Sequence, residues 1–164
     1  MKKLLCALLA LTLLCTFAFA TEGELIPAYS IEAPENPRTV AIGETGVEIS
    51  LPGNWVDAEA PEDSICAYAS PDGDMTLTVA LAAPAEEVYA AVREMVEAGT
   101  AKEMMEVYVN DAFYLTYCTV DDLYDVAYMP LSAEQMLMLN FAVVSADVDT
   151  TVALEILGTA RTVE

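Results

Sequence analysis

Histidine occurs nowhere in the 164 residues, and only six lysines and arginines face 27 aspartates and glutamates. Without histidine the chain lacks the commonest general base, the usual zinc ligand and any Ser-His or Cys-His catalytic pair. With so few cations it lacks the contacts that phosphate groups need, so neither nucleic acid nor an anionic membrane is an expected partner. After residue 20 no apolar run approaches the roughly 20 residues of a membrane-spanning helix. Disorder is also excluded. More than half the residues are hydrophobic and the acidic ones are dispersed rather than blocked, which suits one self-sufficient core and one domain.

What is present begins with an export signal over residues 1–20. Lys2 and Lys3 form a positive start, Leu4 to Phe17 is an almost unbroken apolar run, and Ala18-Phe19-Ala20 presents small residues at the recognition positions. Cleavage is expected between Ala20 and Thr21, giving a secreted or periplasmic protein. Only Arg38, Arg93, Lys102 and Arg161 then remain against all the carboxylates, a surface that attracts cations or basic partners and keeps the protein soluble. Cys15 follows Leu14, where lipidation needs a small residue, so a lipid anchor is not expected. Cys66 and Cys118 survive processing. In an exported protein they form one disulfide or serve as two buried thiols, and only their separation decides.

Residues 21–43 contain Pro27, Pro34 and Pro37 and read as an N-terminal arm or linker. Residues 44–164 read as an α+β domain. Val47, Ile49 and Leu51 alternate with polar residues and stop at Pro52-Gly53. Ile65 to Ala69 and Met75 to Leu81 flank the turn Ser70-Pro71-Asp72-Gly73-Asp74, completing an expected three-stranded meander. Pro84 to Ala98 has helical periodicity, with Val88, Ala91, Val92, Met95 and Val96 as its apolar stripe and Gly99 as its end. Met105 to Val109, Ala112 to Val120, Leu123 to Leu131 and Gln135 to Val144 read as four more strands. Asp147 or Asp149 is suited to cap a last helix ending near Leu157. In the strand from Met136 to Val144 both faces are apolar. The expectation is therefore one antiparallel sheet of six or seven strands, flanked by two helices and covered on both sides.

The order of three strands, helix, four strands and helix, with the opening GVEISLPGNWV at residues 46–56 and the PDGD turn at 71–74, resembles the PsbP-like α/β/α sandwich over about Glu44 to Val163. The resemblance implies a binding or assembly module rather than an enzyme. It carries over no site residue, because no functional motif is matched.

Among the residues themselves, Asp72 with Asp74, and Asp121 with Asp122 and Asp125, cluster at turns where a hard cation such as calcium would find oxygen ligands; the alternative is a pair of solvated acidic turns. Tyr108, Tyr114, Tyr117, Tyr124 and Tyr128 lie on consecutive strands. They form a stacking or protein-contact platform if exposed, or complete the core if not. Met104, Met105, Met129, Met136 and Met138 are core fillers or, less simply, thioether ligands for copper(I). Paired carboxylates would permit glycoside hydrolysis. The first expectation is an exported, acidic, non-catalytic binding or accessory domain, a monomer with no cofactor and with a protein or glycan partner. The second is a calcium-dependent envelope module, and a carboxylate hydrolase comes third.

Overall fold

The computed structural model of the chain describes residues 26–163. Residues 1–20, expected to be an export signal, with the expected Ala20-Thr21 cleavage point, Cys6 and Cys15, lie outside the described residues. Eleven strands and two helices are defined among them: β1 (Ala28–Tyr29), β2 (Pro37–Ala41), β3 (Val47–Pro52), β4 (Val56–Ala58), β5 (Ser64–Ala69), β6 (Met75–Ala82), α1 (Ala85–Glu97), β7 (Ala101–Val109), β8 (Ala112–Thr119), β9 (Tyr124–Ser132), β10 (Gln135–Val143), α2 (Thr151–Leu157) and β11 (Arg161–Thr162). Among the described residues no helix is long and apolar enough to cross a membrane.

The class is α+β, but the sheet arrangement corrects the expectation of one antiparallel sheet. Eight strands form a mixed sheet in the order β1-β7-β8-β9-β10-β6-β5-β4, and three form a second sheet in the order β11-β3-β2. The mixing comes from β1, which pairs in parallel with β7. The expected meander is also revised. Val47 to Leu51 alternates as read, but β3 is the centre of the small sheet, between β2 and β11. The strand that joins β5 and β6 is β4 instead. Alternation shows which side chains point inward and is silent about which partner strand receives the backbone hydrogen bonds.

The N-terminal arm is less irregular than its prolines suggest. Pro37 begins β2, an edge strand, where a missing N–H is tolerated. Further along, Asn110 fastens the arm. Its Oδ1 accepts from the Ile31 N–H at 2.9 Å, and its Nδ2 donates to Ile31 O at 3.1 Å and to Gly158 O at 2.6 Å. Asn110 sits at φ 52° in the β7–β8 turn. The tight turn expected there is therefore also a clamp between the arm and the end of α2.

Two layers cover the large sheet. On the inner face Leu137, Leu139 and Phe141 of β10 pack with Val47, Ile49 and Leu51 of β3 and with Ala153, Ile156 and Leu157 of α2. A seven-residue helix is only about 10 Å long, while eight strands span more than 30 Å at about 4.8 Å each. The small sheet therefore supplies most of the cover that a second helix was expected to provide. On the outer face α1 places Val88 and Val92 against Leu115 and Met136. Ala91, expected in the stripe, is exposed. Tyr89 joins the packing instead, and its hydroxyl donates to Glu106 Oε1 at 2.6 Å. Both helix ends are as read. Pro84 precedes α1, and Gly99 at φ 71° follows it, its N–H bonded to Val96 O.

Candidate functional site

The two acidic turns share one design. In the first, Asp72 Oδ1 accepts from Ser70 Oγ at 2.6 Å and from the Asp74 N–H at 3.2 Å, while Ser70 Oγ accepts from the Met75 N–H at 3.0 Å. In the second, Asp121 Oδ1 accepts from Thr119 Oγ1 at 2.5 Å and from the Leu123 N–H at 3.2 Å, while Thr119 Oγ1 accepts from the Tyr124 N–H at 3.2 Å. The residues at the tight position, Gly73 and Asp122, have φ 78° and 60°. These hydrogen bonds stabilise the ionised form and hold both Asp72 and Asp121 below the usual carboxylate range. Each carboxylate thus organises its own hairpin.

The remaining members of the two clusters diverge. Asp122 pairs with Lys102. Asp125 turns to the inner side of β9 beside buried Thr150, where burial raises it to about 6 despite the threonine hydrogen bond. Among the described residues no group of three or more His, Cys, Asp or Glu side chains is placed to hold a metal ion.

The structure adds a second acidic loop to the first turn. The Val144 N–H donates to Asp74 O at 3.1 Å, and the Val143 N–H donates to Leu123 O at 2.9 Å. The β5–β6 turn, the β8–β9 turn and the loop after β10 therefore meet at one end of the sheet. There a cleft of about 630 Å³ has Trp55, Pro71, Val148 and Val152 in its walls. Asp72 and Asp74 enter it from one loop, Asp147 and Asp149 from the other. Asp149 lies just before the Thr150 N-cap of α2 and accepts from the Thr151 N–H at 2.9 Å and its Oγ1 at 2.6 Å. A second cleft, which shares Asn54 with the first, holds Glu35 and Glu155. Burial, then Asp149 and Glu35, push Glu155 above its ordinary value. The negative field at this end is thus not fully compensated. From sequence alone Asp147 and Asp149 are expected only as helix caps, because nothing local brings positions about 75 residues apart together.

Trp55 follows the Pro52-Gly53 turn and pins it to the core. It is 6 % exposed, packs in the inner core, and its N–H donates to Pro52 O at 3.0 Å. Its carbonyl accepts from Arg38, which also pairs with Asp57 at 3.0 Å.

The tyrosines separate by face. Tyr114 is fully buried on the inner side, where its hydroxyl donates to Leu157 O at 2.8 Å. The alternation of β7, β8 and β9 places Tyr108, Tyr117, Tyr124 and Tyr128 on the outer face. Tyr117 and Tyr128 stack at 6.4 Å beside α1, while Tyr108 packs edge-on against Phe113 at 5.4 Å. Tyr108 and Tyr124 are the exposed pair, at 39 % and 44 %. The methionines divide too: Met105 and Met129 pack inward, Met104 and Met136 against α1. Cys66 and Cys118 are not joined in a disulfide. Strands β5 and β8 are four ladder steps apart, about 19 Å, far beyond disulfide reach.

A mixed sheet backed by helix on one side and by a small sheet and short helix on the other is the PsbP-like fold, and solved structures bear this out. The chain is similar to cyanobacterial PsbP (CyanoP) from Synechocystis, whose solution structure matches at TM-score 0.54 and 10% identity over 77% of this chain and 92% of that one. It is also similar to a protein of known crystal structure from Bacteroides thetaiotaomicron, at TM-score 0.54 and 14% identity over 76% of this chain. The match takes in 48% of that protein, so the chain spans about half its length. No family model and no curated protein matches the chain.

Proposed function

We propose that the chain is an exported, acidic binding or accessory domain without catalytic activity, acting through the end of the sheet that carries the Trp55 cleft. The observation that carries this reading is the make-up of that cleft. It joins apolar wall to four carboxylates from two loops, an arrangement that recognises rather than reacts. Asp72 and Asp149 hold backbone and hydroxyl groups, and the raised Asp125 has a threonine, not a second carboxylate, as its hydrogen-bond partner. Hydrolysis by a carboxylate pair would need two such groups converging on one substrate bond. Export through residues 1–20 belongs to the same reading.

A calcium-dependent variant of this function has one feature in its support, four carboxylates lining a single cleft, although no three of them are grouped closely enough to hold a metal ion as they stand. One experiment tests both. Protein expressed from the full-length chain is tagged and used to capture partners from the producer's own culture, with calcium and with chelator. A stoichiometric partner in both conditions is expected. A partner seen only with calcium shifts the function to the cation-dependent form. No partner, together with turnover of a glycoside panel, overturns the binding reading.

A further inference from the structure

We propose that the Trp55 cleft receives a lysine- or arginine-bearing segment of a partner protein. This inference rests on the reading of the chain as a binding domain and names the chemistry of what it binds.

Three observations converge on that occupant. The first is charge. Asp72, Asp74, Asp147 and Asp149 share the cleft, and the carboxylates of Asp74 and Asp147 have no hydrogen-bond or ion-pair partner among the described residues. The cation that touches Trp55, Arg38, is already held by Asp57 and the Trp55 carbonyl. In the adjoining cleft Glu155 is raised first by burial and then by Asp149 and Glu35. The four carboxylates are solvent-exposed, so they act on a cation through their summed negative field rather than through desolvation.

The second is the buried indole. Trp55 engages its surroundings through its backbone N–H and C=O. Among the described residues its indole N–H has no hydrogen-bond partner, although the residue is only 6 % exposed and lines the cleft. That nitrogen is not among the polar atoms sealed from solvent, so it remains open to a ligand. An indole N–H only donates, so its partner must bring an acceptor. A peptide supplies both halves, a carbonyl oxygen for the indole and an ammonium or guanidinium for the carboxylates.

The third is the apolar wall. Pro71, Val148 and Val152 offer contact to the methylene stem of a lysine or arginine, whose charged head then reaches the carboxylates. Val144, 67 % exposed and bonded through its N–H to Asp74 O, extends the apolar contact beside the mouth. A bare metal ion would use none of this wall. A neutral glycan would not need the charge, and the nearly buried indole presents little stacking face to a sugar.

Trp55 is the chain's one tryptophan, so its fluorescence reports on this cleft directly. Protein expressed from the full-length chain is titrated with a blocked Lys-Gly-Lys-Gly-Lys peptide and with its Glu counterpart, near 0.15 M salt. The lysine peptide is expected to change Trp55 emission saturably and the glutamate peptide to leave it unmoved. Asp74→Asn combined with Asp147→Asn is expected to weaken binding at least about tenfold. Glu86→Gln with Glu94→Gln on exposed positions of α1 removes the same charge and is expected to change it less than about twofold.

Equal weakening by both pairs would reduce the effect to net charge and overturn the site. Tighter binding of a glucosamine tetramer than of the peptide would replace the partner class. Displacement of the peptide by calcium chloride beyond that by sodium chloride at matched ionic strength would make the cleft a cation site. Each of these overturns the proposal. If the cleft pair still captures the culture partner at full stoichiometry, the domain binds elsewhere, and the cleft assignment falls while the binding function stands.

Discussion

The two faces of the eight-stranded sheet are built differently. The inner face is covered by chain from both ends of the domain: β2 and β3 from the start, α2 and β11 from the finish. The outer face is covered by α1, one helix that lies next to β6 and β7 in sequence. The inner packing therefore depends on distant segments arriving together, and the outer packing on a local unit. Leu137, Leu139 and Phe141 are 0–1 % exposed on the inner face, whereas Met138, Asn140 and Ala142 of the same strand are half-buried on the outer one. The outer face of this strand is thus sealed at Met136, beneath α1, and partly open from Met138 to Ala142.

The largest test of this asymmetry is a pair of charge insertions one residue apart. Leu139→Asp places an unpaired carboxylate between Val79 and Ala127 and is expected to cost about 3–5 kcal/mol in a denaturant melt. Met138→Asp, on the half-buried side, is expected to cost less than about 2 kcal/mol because water can reach the new charge. Equal losses would show the outer face to be as sealed as the inner.

Next is pH. Asp125 sits on the inner side of β9, facing Thr150, with Asp122 and Lys102 in range. Its pKa is about 6 in the folded state against 3.8 ordinarily, so between those values the folded chain holds the extra proton. The stabilisation is therefore complete below about pH 4 and is lost as pH rises through 6. Asp125→Asn should flatten this part of the stability profile and raise stability at pH 7, by an amount of order 2 kcal/mol. A mutant profile parallel to the wild type between pH 4 and 7 would remove Asp125 as the cause. Asp72, Asp121 and Asp149, held low by their turn donors, act the other way, their contribution fading only as pH falls through the acid range.

A smaller contrast compares two hydroxyls. Tyr114→Phe removes the buried phenol donor from Leu157 O and leaves it only the Ala160 N–H at 3.2 Å, and is expected to cost about 1–2 kcal/mol. Tyr89→Phe releases the part-buried Glu106 carboxylate to water and is expected to cost under about 1 kcal/mol. Thermal melts that reverse this order would contradict the difference in burial.

The smallest effect concerns charge outside either face. Screening of mutual repulsion should raise the melting temperature modestly, with most of the gain by about 0.1 M salt. Sodium and calcium chloride at equal ionic strength are expected to give the same curve. A calcium excess that grows with the logarithm of its concentration would instead reveal a site.

Strong periodic elements were legible one by one. The helix α1 and the strands β5 to β10 stand close to where pattern and turn chemistry place them, whereas the N-cap of α2 is Thr150, one residue after Asp149. The strands not read, β1, β2, β4 and β11, are five residues or fewer. Too short for alternation to register, they exist because a neighbour offers free backbone groups. Asp72 and Asp121 were recognised as turn residues, and only the geometry shows their oxygens already engaged. The five tyrosines looked like one set. Strand parity sends Tyr114 to the opposite face from Tyr117, as their odd spacing requires, and the packing decides which of the two faces is the inner one.

What the sequence by itself determined is local or summed over the chain: the acidic balance, the absence of histidine, the hairpin turns, the amphipathic helix and the period-two strands. Each depends on near neighbours or on composition, so each survives any arrangement of the rest. What only the tertiary structure decided is assignment between distant parts. It moved Val47–Pro52 into a second sheet, set Cys66 about four strands from Cys118, and brought Asp147 and Asp149 to the turn that carries Asp72 and Asp74. Those outcomes follow from which apolar faces and backbone edges find one another across the chain, a competition among long-range pairings that no local pattern encodes.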